Sequence, residues 1–172
     1  IRHLGNPSVM VALSERGIEA RRSAYLGSAA LATELKRHGI VGASVTSADE
    51  ASFSIGADGL VKWRKHPTED YCIVGVVSIE QVRELKPGVF AARVAGKAIV
   101  VGGGERNAVS TGDSLLPGVG ETEAAAVADA LKRLGKRLGE ELAPRLIKDL
   151  MAQRGGALRI DVSGGTREQI GH

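Results

Sequence analysis

Residues 8–45 read SVMVALSERGIEARRSAYLGSAALATELKRHGIVGASV, and this stretch decides the fold. Ser8-Val9-Met10-Val11-Ala12-Leu13 follows Pro7 and is almost wholly apolar, the pattern of a buried strand. Ser14 to Arg22 is polar and reads as a loop. From Ser23 onward, Tyr25, Leu26, Ala29, Ala30, Leu31 and Leu35 are spaced for one helical face. Lys36, Arg37 and His38 crowd the last turn, where cations suit the helix dipole, and Gly39 ends it. Ile40 to Val45 reads as a second strand. Strand, helix and strand in that order form a βαβ unit, which favours parallel pairing.

Beyond this unit the pattern changes. In Thr46 to Thr68, Phe53, Ile55, Leu60 and Val61 flank Gly56-Ala57-Asp58-Gly59. Asp58-Gly59 is a hairpin-type turn, so a short hairpin or an irregular excursion fits here. Tyr71 to Val77 is the most apolar strand in the chain. Lys86-Pro87-Gly88 is a turn signal and Val89 to Val101 a long strand, together a β-meander that a bulge or turn at Gly96-Lys97 would interrupt. Gly102 to Gly120 holds six Gly and one Pro and reads as a loop.

A helix is expected from Glu121, with Glu121 and Glu123 in its first turn. Its stripe is Val127, Leu131, Leu134, Leu138, Leu142, Leu146 and Leu150. Pro144 lies inside that stripe, where a kink or a split into two helices is expected. Leu158 to Val162 reads as one more strand, turning at Ser163-Gly164-Gly165. The expected class is therefore α/β (or α+β), a mixed sheet with an N-terminal βαβ unit, a β-meander and a long C-terminal helix. Residues 1–154 form a single domain on this reading. Residues 155–172 are the start of a following domain, or a C-terminal strand extension, in a piece of a longer polypeptide.

Composition narrows the function classes. The chain has 172 residues, 43% hydrophobic and 25% charged, which excludes disordered and fibrous proteins. A net charge of +3 is too weak a field to imply nucleic acid or an anionic membrane as partner. Cys72 is the only cysteine, so there is no internal disulfide. No apolar stretch approaches the ~20 residues of a membrane helix. With 23 glycines and 3% aromatics, the core must be aliphatic and the chain often punctuated.

Few residue groups suggest chemistry. Gly102-Gly103-Gly104-Glu105-Arg106 follows a strand, where phosphate loops occur, yet Asn107 replaces the last glycine of G-x-G-x-x-G. A small-ligand or nucleotide-binding enzyme domain with a cofactor site at Gly102, Gly103, Gly104 and Arg106 is the alternative to a plain turn. Ser110-Thr111-Gly112-Asp113-Ser114 gathers hydroxyls with no His near in sequence, and turn or cap duty is the expected role. The four His, at 3, 38, 66 and 172, lack metal-ligand spacing. Asp49-Glu50 and Glu69-Asp70 read as solvated turns, and Cys72 as a buried thiol within its strand. Trp63 sits among Lys62, Arg64, Lys65 and His66, the one basic stretch with a ring that could stack a base. Lys132, Arg133, Lys136 and Arg137 belong to the polar side of the long helix, with Glu140 and Glu141 an i,i+4 step away.

The arrangement carries more than any of these groups. Pro7-Ser8-Val9-Met10-Val11 opens the chain, and Asp70-Tyr71-Cys72-Ile73-Val74-Gly75 is a strand in which Asp precedes aliphatics ending in Gly. Antiparallel strands follow, then the Ala-rich helix Glu123-Ala124-Ala125-Ala126-Val127-Ala128-Asp129-Ala130. Over residues 7 to 153 this resembles the α/β domains of bacterial envelope assembly proteins: flagellar assembly protein T, LPP20-type lipoproteins, curli secretion protein G and the TolB N-terminal domain. These usually place a second helix before the Asp-led strand, where this chain shows no good helical stripe.

The resemblance implies a non-enzymatic scaffold or interaction module, periplasmic or outer-membrane associated, without a cofactor. Its partners would be other envelope proteins or further copies of itself. The expected contact surfaces are exposed sheet edges and the polar helix face around Lys132, Arg133, Lys136 and Arg137, with Trp63 as a further candidate.

Overall fold

The computed structural model describes residues 6–16, 25–102 and 107–165, with side chains as far as Gln153. In chain order the elements are β1 (Val9–Arg16), α1 (Leu26–Arg37), β2 (Ala43–Val45), α2 (Ala48–Ala51), β3 (Phe53–Ile55) and β4 (Val61–Trp63). They continue with β5 (Tyr71–Lys86), β6 (Val89–Gly102), β7 (Asn107–Gly120) and α3 (Glu123–Gly165). The main sheet runs β2-β1-β5-β6-β7, and β3 pairs only with β4. β1 is parallel to both β2 and β5, and β5, β6 and β7 are antiparallel. The fold is the expected mixed sheet with a βαβ start, a meander and a long last helix.

A side-chain clamp fixes where the parallel strands begin. The Ser8 backbone N–H donates to Asp70 Oδ2 at 2.9 Å and the Ser8 hydroxyl to the same oxygen at 3.2 Å. The hydroxyl also accepts from the Asp70 N–H at 3.0 Å. One step later, Val9 stands opposite Tyr71 and Ala43. A one-residue slip would turn every apolar side chain to the wrong face, so this reciprocal pair holds the register that burial requires.

One face of the sheet carries α1 and α3. Val9, Val11, Leu13, Ile73, Val94, Ala98 and Val100 meet Leu31 and Leu35 of α1 and Leu131, Leu134, Leu138, Leu142 and Leu146 of α3. Close approach of the two helices rests on Gly135, where an added Cβ would stand 2.2 Å from the carbonyl oxygen of Gly27. Ser28 is tolerated in the buried face of α1 because its hydroxyl accepts from the Leu13 N–H at 3.1 Å. Gly39, at φ +95, closes α1 as expected.

The other face carries Met10, Ala12, Cys72, Val74, Ile99 and Val101. Ala51 of α2 and Phe53, Ile55, Val61 and Trp63 of the small hairpin lie on them. The segment before the Asp-led strand is thus a single helical turn and a hairpin, not the second helix usual in the proteins it resembles. Ser47 caps α2 by accepting from the Glu50 N–H at 3.1 Å, and Gly59 takes φ +79 in the expected turn.

The largest departure concerns Gly102 to Gly120, where a loop was expected. Asn107–Gly120 is instead a fourteen-residue strand, and Ser110 to Ser114 are part of it and not of a turn. The reason is packing. An added Cβ at Gly118 would stand 2.2 Å from the amide nitrogen of Ala130, so glycine lets α3 lie directly on β7. β1 likewise continues to Arg16, three residues into the expected loop, and residues 17–24 lie outside the described residues.

No break occurs at Gly96-Lys97, since β6 runs through it paired to both neighbours. α3 begins at Glu123, with Thr122 Oγ1 accepting from the Ala125 N–H at 3.0 Å. It passes through Pro144 as one element, so the split is not present. Pro144 is exposed, while Leu142, Ala143 and Leu146 stay buried on either side of it. The helix continues to Gly165 across Leu158 to Val162, where a strand was expected. Extending a formed helix adds a hydrogen bond per residue without a new nucleus, whereas a strand needs an open edge to join.

Candidate interaction surface

The hairpin covers only half of the second face. Side chains alternate along a strand, so Val76 and Ser78 share the side of Cys72 and Val74, and Ala95 and Lys97 share that of Ile99 and Val101. Register carries this to the last strand, where Asp113 stands beside Lys97, Leu115 beside Ala95 and Pro117 beside Arg93. No described element packs on these residues. Val76 and Ala95 are half-buried, whereas Leu115 is 52% and Val119 54% exposed. The twist of the sheet makes an open trough of about 430 Å³, with Val76, Ala95 and Leu115 as apolar floor and Glu80, Lys97 and Asp113 as charged rim.

The sheet edges are less available than the sequence suggests. β2 is three residues long. At β7, the Val119 N–H donates to Asp129 Oδ2 at 2.9 Å, and Arg145 donates to the Thr111 carbonyl and, at 3.1 Å, to Ser110 Oγ. Thr111 and Val119 share one parity, which fixes the outward backbone groups as those of residues 111, 113, 115, 117 and 119. Pro117 contributes no N–H. Helix side chains and a proline therefore blunt this edge, a usual defence against strand addition. The edge is thus partly capped, whereas half of the second face is uncovered among the described residues.

The sequence-predicted residues fall in three places. Lys132, Arg133, Lys136 and Arg137 are exposed on α3, away from the trough-bearing face. Arg133 pairs with Asp129 at 3.0 Å, and Glu141 pairs with Arg145 at 3.4 Å. Trp63 packs into the second face, its ring 6.1 Å from that of Phe53, and its buried Nε1 has no hydrogen-bond partner among the described residues. Lys62, Arg64 and Lys65 around it are exposed. Of the glycine-rich candidate, Gly103, Gly104 and Arg106 lie outside the described residues. Gly102 ends β6, and a Cβ there would stand 2.4 Å from the Tyr71 ring, so its bareness seats an aromatic side chain.

Tyr71 itself anchors the far part of α3. Its hydroxyl donates to Asp149 Oδ2 at 2.6 Å, and Gln153 Nε2 donates to the tyrosine oxygen at 2.9 Å and to Asp149 at 3.0 Å. Burial and then the neighbouring Asp149 carboxylate push the phenol above its ordinary range. Among the described residues no three His, Cys, Asp or Glu side chains are grouped to hold a metal, and no helix is long and apolar enough to cross a membrane.

The trough was not found from sequence because its third wall lies in the segment read as a loop. The alternation of Leu115, Pro117 and Val119 was the available signal.

No protein-family model matches the chain, and no curated protein matches it in sequence. Solved structures do match in fold. Two are dodecamers of PelC from Paraburkholderia phytofirmans, one a single-residue variant, both 15% identical, with TM-scores of 0.52 and 0.51. They cover 81% and 82% of this chain and 87% and 90% of their own. A lipoprotein from Neisseria meningitidis is 12% identical, covers 80% of this chain and 99% of its own, and overlays more loosely at a TM-score of 0.37. The matches include several bacterial lipoproteins, and the likeness is one of fold.

Proposed function

We propose that this chain is a non-enzymatic interaction module of a bacterial cell envelope, periplasmic or outer-membrane associated, that works by self-association. The observation that carries the reading is the uncovered half of the second sheet face, with its aliphatic floor and rim charges of both signs. Faces of this kind, an apolar centre inside a polar rim, are what protein partners cover. The fold likeness to PelC, itself a dodecamer, and to bacterial lipoproteins supports the envelope and the assembly parts of the proposal.

Sedimentation velocity of the chain over a micromolar to millimolar range tests self-association. A weight-average sedimentation coefficient that rises with concentration is expected, and a constant monomer value overturns this part. Fractionation of the producing cells tests location, with recovery from the cytoplasm as the overturning result.

A further inference from the structure

The bare trough and the far end of the same sheet are chemically complementary. Two bulges interrupt the β5–β6 ladder, one between Ile79 and Gln81 and one between Glu84 and Lys86. They leave Glu80 and Leu85 without a cross-strand partner and set them outside the regular alternation. Bulges re-aim side chains and are over-represented beside functional surfaces. Glu80 lies on the trough rim. Leu85 stands at the hairpin tip, 52% exposed, next to the Pro87-Gly88 turn, with no described apolar group to cover it. Burying a leucine stabilises an interface by ~2 kcal/mol, so a tip that holds one out in water is suited to a partner's pocket.

Charge gives the orientation. The tip offers Arg83 and Lys86 against one Glu84, a cationic excess, while the residues that line the trough itself are Glu80 and Asp113 against one Lys97, an anionic excess, with Arg93 further along the same face. The same chain thus carries an apolar knob with cationic flanks and an apolar-floored socket with an acidic rim, at different places on one strand pair. A two-fold axis through either patch alone would set like on like and oppose equal charges. A head-to-tail contact sets knob in socket.

We propose that the β5–β6 hairpin tip of one copy docks in the β5–β6–β7 trough of the next, Leu85 over Ala95 and Leu115, with Lys86 facing Asp113. This inference rests on the self-association reading and supplies its geometry. Such a contact propagates, closing into a ring if the rotation per copy allows and forming an open filament otherwise.

The test uses Leu85→Asp to spoil the knob and Leu115→Glu to spoil the socket, both exposed positions. Each variant alone should lose at least tenfold in association by sedimentation velocity. An equimolar mixture should recover association and stop at a dimer, because each variant keeps the half that the other lacks. That recovery also shows that both variants are folded. Pairing Lys86→Glu with Asp113→Lys in one chain should restore what either change alone weakens.

If the wild-type chain is monomeric throughout, the self-association reading fails and takes this interface with it. If the wild type associates and both variants associate equally well, only the knob-and-socket interface is overturned. If each variant is deficient and the mixture does not recover, the head-to-tail arrangement is overturned.

Discussion

The two halves of the main sheet follow opposite rules. The parallel half, β1 to Leu13 and β5 to Gly75 beside the short β2, is apolar on both sides, with helices on one face and the hairpin with its helical turn on the other. The antiparallel arm, from Ser78 through Lys97 of β6 and along β7, is packed on one face only, whereas Ile99 and Val101 at the end of β6 lie under the hairpin. β5 belongs to both and changes character within its own length, from five consecutive buried residues to four exposed at its end. Burial on two sides leaves no surface for partners, whereas one-sided packing leaves a face that can be specialised without loss of core. The candidate interface lies on the arm for that reason.

Mutations in the two halves should separate them. Leu138→Ala, in the shared helix-facing core, should cost about 2–5 kcal/mol in urea unfolding, through lost burial and a cavity. Gly118→Ala should cost about 1–3 kcal/mol, because its methyl meets the backbone of Ala130 and lifts α3 from the arm. If Gly118→Ala were neutral, the close seating of helix on strand would be wrong. Gly59, by contrast, has nothing within 4 Å of an added Cβ, and its φ of +79 is what restricts substitution there.

Tyr71→Phe tests the anchor between the parallel half and the end of α3. It should cost about 1 kcal/mol at neutral pH, the net worth of a buried hydrogen bond. It should also change the alkaline limb. The phenol is raised in the folded state, so its contribution is full below the unfolded value near ~10 and falls as pH rises above it. Wild type minus variant should therefore decline above pH ~10 with a slope approaching ~1.4 kcal/mol per pH unit. A pH-independent difference would show that Tyr71 is not held protonated.

The smallest effect belongs to the bare face. Leu115→Ala should change monomer stability by less than ~0.5 kcal/mol, and Lys136→Ala on the exposed side of α3 by no more. Were Leu115→Ala to cost as much as Leu138→Ala, the arm would be covered on both faces and the comparison would fail.

The parallel half was readable because its strands are short apolar runs with clear punctuation: Pro7 before β1, Gly39 after α1 and Asp58-Gly59 in the hairpin. The leucine stripe of α3 was equally plain, since period and burial coincide from Leu131 to Leu146. β7 was not readable. Its glycines serve contact with a helix that follows in sequence, and a local reading assigns the same residues to turns. The candidate surface was hidden with it, because Leu115 and Asp113 become its wall only once β7 pairs with β6. For Trp63 the sequence showed only its basic neighbours, and the place of its ring beside Phe53 is a tertiary fact.

By itself the sequence determined which segments are apolar, with what period and where the chain turns, and thus a βαβ start, a meander and a long amphipathic helix. These are local properties, written in side-chain type and spacing. Tertiary structure alone decided that a glycine-rich segment is a strand, that its edge is capped by Asp129 and Arg145, and that half of one sheet face stays bare. Each depends on which distant residues arrive opposite one another, and a strand's identity comes from its neighbours in space.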